Sequence, residues 1–174
     1  MPINADITGT DDGETISGSA AGEVVDAGGG LDTVLADDGA DTIFAGANRD
    51  KVWGEEGEDE LYGNGGNDRI YGGDDNDRII GGGDDDVLYG DTPHDNNDNE
   101  GFSDTFVFGD NDGNDKILDF ESGIDFIEFT DGGSVADLTF EHKGEDTTII
   151  TYGDTVITVF DAHLDASSAE FIFV

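Results

Sequence analysis

A strict period of nine residues runs through the first half of this chain, and few folds can accommodate it. From Gly9 to Tyr89 the sequence divides into nine consecutive nonapeptides without insertion or deletion. The sixth position is always an acid: Glu14, Glu23, Asp32, Asp41, Asp50, Asp59, Asp68, Asp77 and Asp86. The eighth is always aliphatic: Ile16, Val25, Val34, Ile43, Val52, Leu61, Ile70, Ile79 and Leu88. The first is always glycine or alanine, from Gly9 to Gly81. Self-similarity at a short fixed period signals a repeat array, whose units cannot bury an apolar face alone and stack on their neighbours.

Composition without this order would point elsewhere. The 174 residues include 44 acidic and 6 basic side chains, a formal net charge of −38, with 34% hydrophobic residues. High charge with few apolar residues is the signature of a disordered chain. A polyanion can fold when its charge is offset, and divalent cations can do this for carboxylates held in register. The same charge excludes nucleic acid and anionic membrane surfaces as direct partners, because both repel it. Without cysteine there is no disulfide framework, CxxC redox site or thiolate-held zinc. No apolar run approaches the roughly 18 residues of a membrane span. Met1 to Ala5 is too short and too uncharged to open a secretory signal peptide.

The nonapeptide fits the pattern G-G-x-G-x-D-x-U-x. Its clearest copies are GNGGNDRIY from Gly63, GGDDNDRII from Gly72 and GGGDDDVLY from Gly81. On these motifs the segment resembles the RTX, or hemolysin-type, calcium-binding repeat family. The resemblance implies a parallel β-roll in which each nonapeptide makes half a turn, six loop residues preceding three of strand. The expected fold class is all-β: a parallel β-roll, or β-solenoid, of nonapeptide repeats with a C-terminal β-rich cap. Its segments would be a lead-in over 1–8, the roll over 9–89, a polar loop over 90–103 and the cap over 104–174.

Elementary geometry agrees. A short strand with one apolar centre puts that side chain on one face and its neighbours on the other. The eighth-position aliphatics would therefore fill a thin core between two sheets. Stacked loops would lie about 4.8 Å apart, so nine half-turns give roughly 4.5 turns over about 20 Å. Loops on one side are two repeats apart, which places Asp50, Asp68 and Asp86 in one column and Asp41, Asp59 and Asp77 in the opposite one. A hard cation between successive loops would take a carboxylate from each plus backbone carbonyls. Many oxygens in flexible geometry suit Ca²⁺ better than Mg²⁺. Without the ion, carboxylates about 5 Å apart repel by roughly 0.8 kcal/mol per pair even in water.

The candidate metal ligands are the sixth-position Asp32, Asp41, Asp50, Asp59, Asp68, Asp77 and Asp86. The fourth-position Gly30, Gly39, Gly57, Gly66, Asp75 and Asp84 complete the set. The best-formed pairs are expected at Asp41/Asp59, Asp59/Asp77, Asp50/Asp68 and Asp68/Asp86. Arg49 beside Asp50 disfavours a cation locally. The first two repeats, with Glu14 and Glu23, read as a cap that holds no ion. Among ninth positions, Trp53, Tyr71 and Tyr89 form an outer stripe, which either holds a sugar or partner or merely shields the sheet.

Gly90 to Ser103 is polar and turn-rich, which reads as a surface loop. The acid-x-apolar spacing then returns at Asp104/Phe106, Asp115/Ile117 and Asp125/Ile127. Leu138–Glu141, Thr147–Tyr152 and Thr155–Phe160 read as strands, with a hairpin turn at Gly153-Asp154. A terminal cap of this kind covers the last open strands of a solenoid. Asp104 and a loop at Asp110, Asp112, Asn114 and Asp115 are a further metal-ligand candidate set, with a solvated acidic turn as the alternative for that loop. The stretch from Asp104 to Phe129 resembles the segment following the repeats in serralysin-type proteases and related RTX proteins. The closing EFIFV, Glu170 to Val174, is similar to the acidic-plus-hydrophobic terminus read by type I secretion systems in that group.

Catalysis finds little to build on. His94, His142 and His163 are isolated in sequence, and neither HExxH nor GxSxG occurs. The chain therefore reads as a non-enzymatic, secreted bacterial module that binds several Ca²⁺ ions and folds on them outside the cell. Its partners would be calcium and the type I secretion machinery. Alternatives are a calcium-dependent module for an extracellular polysaccharide or partner protein, or the tail of a larger secreted enzyme or toxin carrying the parent catalytic domain.

Overall fold

A computed structural model describes residues 7–91 and 101–174. His94, most of the lead-in over 1–8 and most of the loop expected over 90–103 lie outside these residues. The regular secondary structure of the described residues is almost entirely β. The odd-numbered strands are β1 (Ile7–Thr10), β3 (Val24–Gly28), β5 (Thr42–Ala47), β7 (Glu60–Gly65), β9 (Arg78–Gly83), β11 (Thr105–Phe108) and β13 (Phe126–Phe129). Alternating with them are β2 (Thr15–Ser17), β4 (Thr33–Leu35), β6 (Lys51–Glu56), β8 (Arg69–Asp74), β10 (Val87–Tyr89) and β12 (Asn114–Ile117). A single 3₁₀ turn at Val135–Asp137 precedes β14 (Thr139–His142), β15 (Thr147–Tyr152), β16 (Thr155–Phe160) and β17 (Phe171–Phe173).

The odd strands β1 to β13, followed by β17, form one parallel sheet of eight. The even strands, joined by β15, form the other sheet of nine, in the order β14-β15-β16-β12-β10-β8-β6-β4-β2. Successive chain segments thus alternate between two facing sheets, which is a β-solenoid. Eight strands span about 34 Å along its axis. Within the repeats each residue pairs with the one eighteen positions on, as in Val25↔Ile43↔Leu61↔Ile79 and Val34↔Val52↔Ile70↔Leu88. The eighth-position side chains point inward from both sheets and are buried. Phe106, Ile117, Ile127 and Val159 continue the two columns beyond the insertion.

Two details differ from the sequence expectation. In the middle of the array the strands run to six residues, carrying the ladder into the first three positions of the next repeat, as in Gly46↔Asn64 and Ala47↔Gly65. Loops that superimpose at a fixed offset keep their backbone groups aligned, so hydrogen bonding continues past the corner. The expected hairpin forms between β15 and β16, with Tyr152 opposite Thr155, while the strand expected at Leu138–Glu141 lies one residue later as β14. These antiparallel strands end the second sheet, and β17 ends the first beside β13.

Tight stacking makes certain glycines irreplaceable. Gly57 has φ +134°, and a Cβ there would lie 1.9 Å from the Gly39 carbonyl oxygen. Gly65 has open space instead, with nothing within 4 Å of such an atom. Gly57→Ala should therefore lower stability by about 1–3 kcal/mol or more, and Gly65→Ala should stay within about 0.5 kcal/mol. Thermal melts of both variants under identical ionic conditions check this; equal melting temperatures would contradict the packing described.

Candidate metal-binding loops

Each sixth-position acid sits where a loop enters its strand, and the loops repeat one backbone shape. From the third repeat onward, positions two and four both have positive φ: 72° and 131° at Asp37 and Gly39, 77° and 134° at Glu55 and Gly57, 71° and 125° at Asn64 and Gly66. Gly30, Asp75 and Asp84 occupy the same fourth position, with φ of 130°, 77° and 79°. Over described residues 7–27 no residue has positive φ, so the first two loops take another shape. The pair recurs at Asn111 (71°) and Gly113 (117°). This places Asp110–Leu118 in the register of the array, with Asp115 sixth and Ile117 eighth. The residue at its first position is Asp rather than glycine or alanine, which hides the match in sequence.

The buried acids form two unbroken rows. In one, the backbone N–H groups of Glu14, Asp32, Asp50, Asp68 and Asp86 donate to Oδ1 of Asp32, Asp50, Asp68, Asp86 and Asp115, at 2.7–2.9 Å. In the other, those of Glu23, Asp41, Asp59, Asp77 and Asp104 donate to Asp41, Asp59, Asp77, Asp104 and Asp125, at 2.5–3.0 Å. Each carboxylate thus ties one turn of the solenoid to the turn before it. Asp125 was legible only as an acid-x-apolar pair. Asp119, which accepts the N–H groups of Gly90 and Asp91 at 3.0 and 3.1 Å, carries no sequence signal at all.

The second oxygen of these carboxylates is the anomaly. Oδ2 of Asp32, Asp41, Asp50, Asp59, Asp68, Asp77, Asp86 and Asp115 is buried without a hydrogen-bond partner. A buried acceptor left unmatched is costly, the more so when charged. It also faces other acceptors. A Cβ placed on Gly72 would lie 2.3 Å from both Asp77 Oδ2 and the Gly90 carbonyl oxygen. The same convergence joins Asp59 Oδ2 to the Gly72 carbonyl at Gly54, and Asp68 Oδ2 to the Gly81 carbonyl at Gly63. The first position must be small because these oxygens crowd it.

Acceptors that converge with no donor between them call for a positive charge. Protons are one answer, and burial pushes the carboxyls that way: Asp41 and Asp50 to about 6, Asp59 to about 7, Asp68 and Asp86 to about 8, Asp77 to about 9. Desolvation is the largest cause in each case, opposed by the N–H bond to Oδ1 and reinforced by acids in neighbouring turns. Asp104 rises to about 8, and Asp115, Asp119 and Asp125 to about 7, for the same reason. A hard cation is the other answer. Among the described residues no three His, Cys, Asp or Glu side chains gather around one point. Any cation in these loops would therefore take much of its coordination from carbonyl oxygens, which favours an oxygen-seeking ion over zinc or copper.

The other singled-out residues fall elsewhere. Asp110 and Asp112 lie at an acidic turn, where the Asp110 N–H donates to Asp131 and Asp112 accepts from the Gly109 N–H, both at 2.5 Å. Trp53, Tyr71 and Tyr89 stack on one another with centroids 5.1 and 4.6 Å apart and planes within 19°. Their faces are taken up by that stacking, which fits shielding of the sheet rather than stacking on a sugar ring. His142 and His163, isolated in sequence, stack at 3.9 Å because the meander of β14 to β16 folds them together. No helix among the described residues is long and apolar enough to cross a membrane.

Comparison with known proteins bears on the loops directly. The family described as RTX calcium-binding nonapeptide repeat (4 copies) matches residues 26–61, 35–70 and 62–92. No curated protein matches the chain. Among solved structures, the extracellular lipase LipA from Serratia marcescens is similar at a TM-score of 0.46 and 16% identity, over 100% of this chain and 41% of that one. The AlgE6R3 subunit of the mannuronan C5-epimerase from Azotobacter vinelandii is similar at a TM-score of 0.35 and 19% identity, over 95% and 81%. The chain therefore spans less than half the length of the lipase. Over residues 26–92 the chain is similar to the RTX calcium-binding nonapeptide repeat, in a β-solenoid that the other described residues continue.

Proposed function

We propose that this chain is a calcium-dependent folding module, exported by a type I system and folded on Ca²⁺ outside the cell. The observation that carries the reading is the set of buried Oδ2 atoms without partners, facing carbonyl oxygens in adjacent loops. Asp41, Asp50, Asp59, Asp68, Asp77 and Asp86 would supply carboxylate ligands, and loop carbonyls, Gly39, Gly57 and Gly66 among them, the remainder. Asp104 and Asp115 belong to the same two rows. Asp32 precedes Asp50 in its row, although its loop neighbours include the cation Arg49. Glu14 and Glu23, in loops of different shape, serve as the N-terminal end of the array.

A bound cation does for each loop what nothing else in the chain can do. It offers positive charge to acceptors already buried, and it removes repulsion within each row. Because the loops exist only in the folded array, binding free energy becomes folding free energy. In low calcium the −38 chain stays open, as passage through an export channel requires; at extracellular calcium it closes. Secretion rests on the family resemblance, including that of the Glu170–Val174 segment. No catalytic role is assigned to the chain. Isothermal titration of the EDTA-stripped chain should show uptake of several Ca²⁺ ions with dissociation constants of about 10⁻⁴–10⁻³ M. Magnesium at equal concentration should give little heat. Absence of calcium uptake, or equal uptake of magnesium, would overturn the reading.

A further inference from the structure

Two imidazoles lie against each other beside the C-terminal meander. His142 ends β14, and His163 lies three residues past the end of β16. Both are exposed, and their rings stack with centroids 3.9 Å apart and planes 18° apart. Neither residue belongs to the nonapeptide repeats.

One buried side chain positions the pair. The Thr148 hydroxyl, fully buried, donates its one proton to the Ala162 carbonyl oxygen at 3.0 Å and accepts the Leu164 N–H at 3.0 Å. Ala162 and Leu164 flank His163 and are themselves buried, so its backbone is fixed from both sides. A hydroxyl has one donor and two acceptor sites. The remaining contact of Thr148, with His142 Nδ1 at 3.3 Å, therefore has the ring as donor. That bond places the proton of the neutral imidazole on Nδ1 and leaves the lone pair on Nε2. The two nitrogens lie on opposite edges of the ring, so Nε2 faces away from buried Thr148. The His163 ring makes no hydrogen bond among the described residues, which leaves it free to turn.

We infer that His142 and His163 together bind one divalent transition-metal ion of the zinc or copper kind, through one nitrogen each, with water completing the shell. Imidazole nitrogen selects such ions over Ca²⁺ and Mg²⁺, which take oxygen. A bond of about 2.0–2.1 Å to each nitrogen sets the two ligating atoms roughly 3.3 Å apart. Rings 3.9 Å apart at their centres reach this when His163 tilts. A ligating histidine needs its other N–H held by a fixed acceptor, and Thr148 already supplies one. Asp165 lies within electrostatic reach of both rings, and its carboxylate is fixed by the Ser167 N–H at 2.7 Å and hydroxyl at 2.6 Å. It adds negative charge without serving as a third ligand, in keeping with the absence of any three such side chains around one point among the described residues. The ion would tie β14 to the segment leading into β17. Because nitrogen ligands hold it, its binding is independent of the calcium loops.

The test uses the whole chain with calcium in excess, and circular dichroism on the same samples shows separately any variant that fails to fold. Cu²⁺ and Zn²⁺ are titrated in turn by calorimetry. Both should bind, Cu²⁺ more tightly than Zn²⁺, and further calcium should displace neither. The electron paramagnetic resonance spectrum of the Cu²⁺-loaded chain should carry the hyperfine splitting of imidazole nitrogen. His142→Ala and His163→Ala should each keep the fold and weaken the site by at least about tenfold, no less than the loss of an outer-shell partner costs. His94→Ala should bind as the parent does. A spectrum showing oxygen ligands alone, unchanged affinity in either variant of the pair, or a loss confined to His94→Ala would each overturn the assignment.

Discussion

In EDTA, lowering the pH from 8 to 5 should drive this chain from coil towards β-structure. The sign follows from the direction of the shifts. In the ion-free fold the buried acids have raised values, about 6 at Asp41 and Asp50 up to about 9 at Asp77, against an ordinary 3.8. Groups whose folded values are raised stabilise the fold fully below the unfolded value and lose that contribution as pH rises through the folded values. At pH 8 most of these carboxyls must either hold a proton against the solvent or sit ionised and buried. At pH 5 the folded chain protonates them readily, while the unfolded chain gains little from ionising. The stabilisation should build as pH falls through the folded values, from about 9 to about 6, and continue towards the ordinary 3.8, with proton uptake on folding. Circular dichroism and a pH-stat measurement on the metal-free chain check both. A chain equally unfolded at pH 8 and 5, or one that releases protons on folding, would contradict the assignment of buried, unmatched carboxylates.

Replacing one of these acids with its amide should have opposite effects with and without calcium. Asp77 is the sharpest case, 3% exposed and with the highest of these values. In Asp77→Asn the amide oxygen keeps the bond from the Asp59 N–H, now 2.8 Å. The amide nitrogen takes the place of Oδ2 and points a donor at the Gly90 carbonyl, where two acceptors converged before. The amide is neutral in both states, so folding no longer requires Asp77 to take up a proton at pH 8, and the metal-free fold at that pH should be stabilised by several kcal/mol. In calcium the same change deletes a charged ligand, and the calcium midpoint should move upward by roughly tenfold. A purely structural aspartate would give the same sign in both conditions. Urea titrations in EDTA and in excess calcium separate the two outcomes.

Why so much of the fold was legible, and where legibility stopped, has a physical basis. The period of nine fixes both columns of core residues, because one inward position per strand allows no other register. Asp104, Asp115 and Asp125 could be placed by the same acid-x-apolar spacing, since a strand keeps that geometry whatever the loop before it. Asp119 could not: it acts through contact with Gly90 and Asp91 across the insertion, and no local pattern encodes that. The loop at Asp110–Asn114 reads in sequence only as an acidic turn, although Asp115/Ile117 keep the spacing, because its likeness to the other loops lies in the backbone angles of Asn111 and Gly113 rather than in residue type. The His142–His163 stack depends on which strands become neighbours.

The most direct measurement is circular dichroism of the whole chain at pH 7.5 while calcium is added after EDTA treatment, repeated with magnesium. A coil spectrum in EDTA should convert cooperatively to β-structure over about 10⁻⁴–10⁻³ M calcium, and magnesium should be far less effective. A chain with the same β-structure in EDTA as in calcium would contradict the account, because its buried carboxylates would then need no cation.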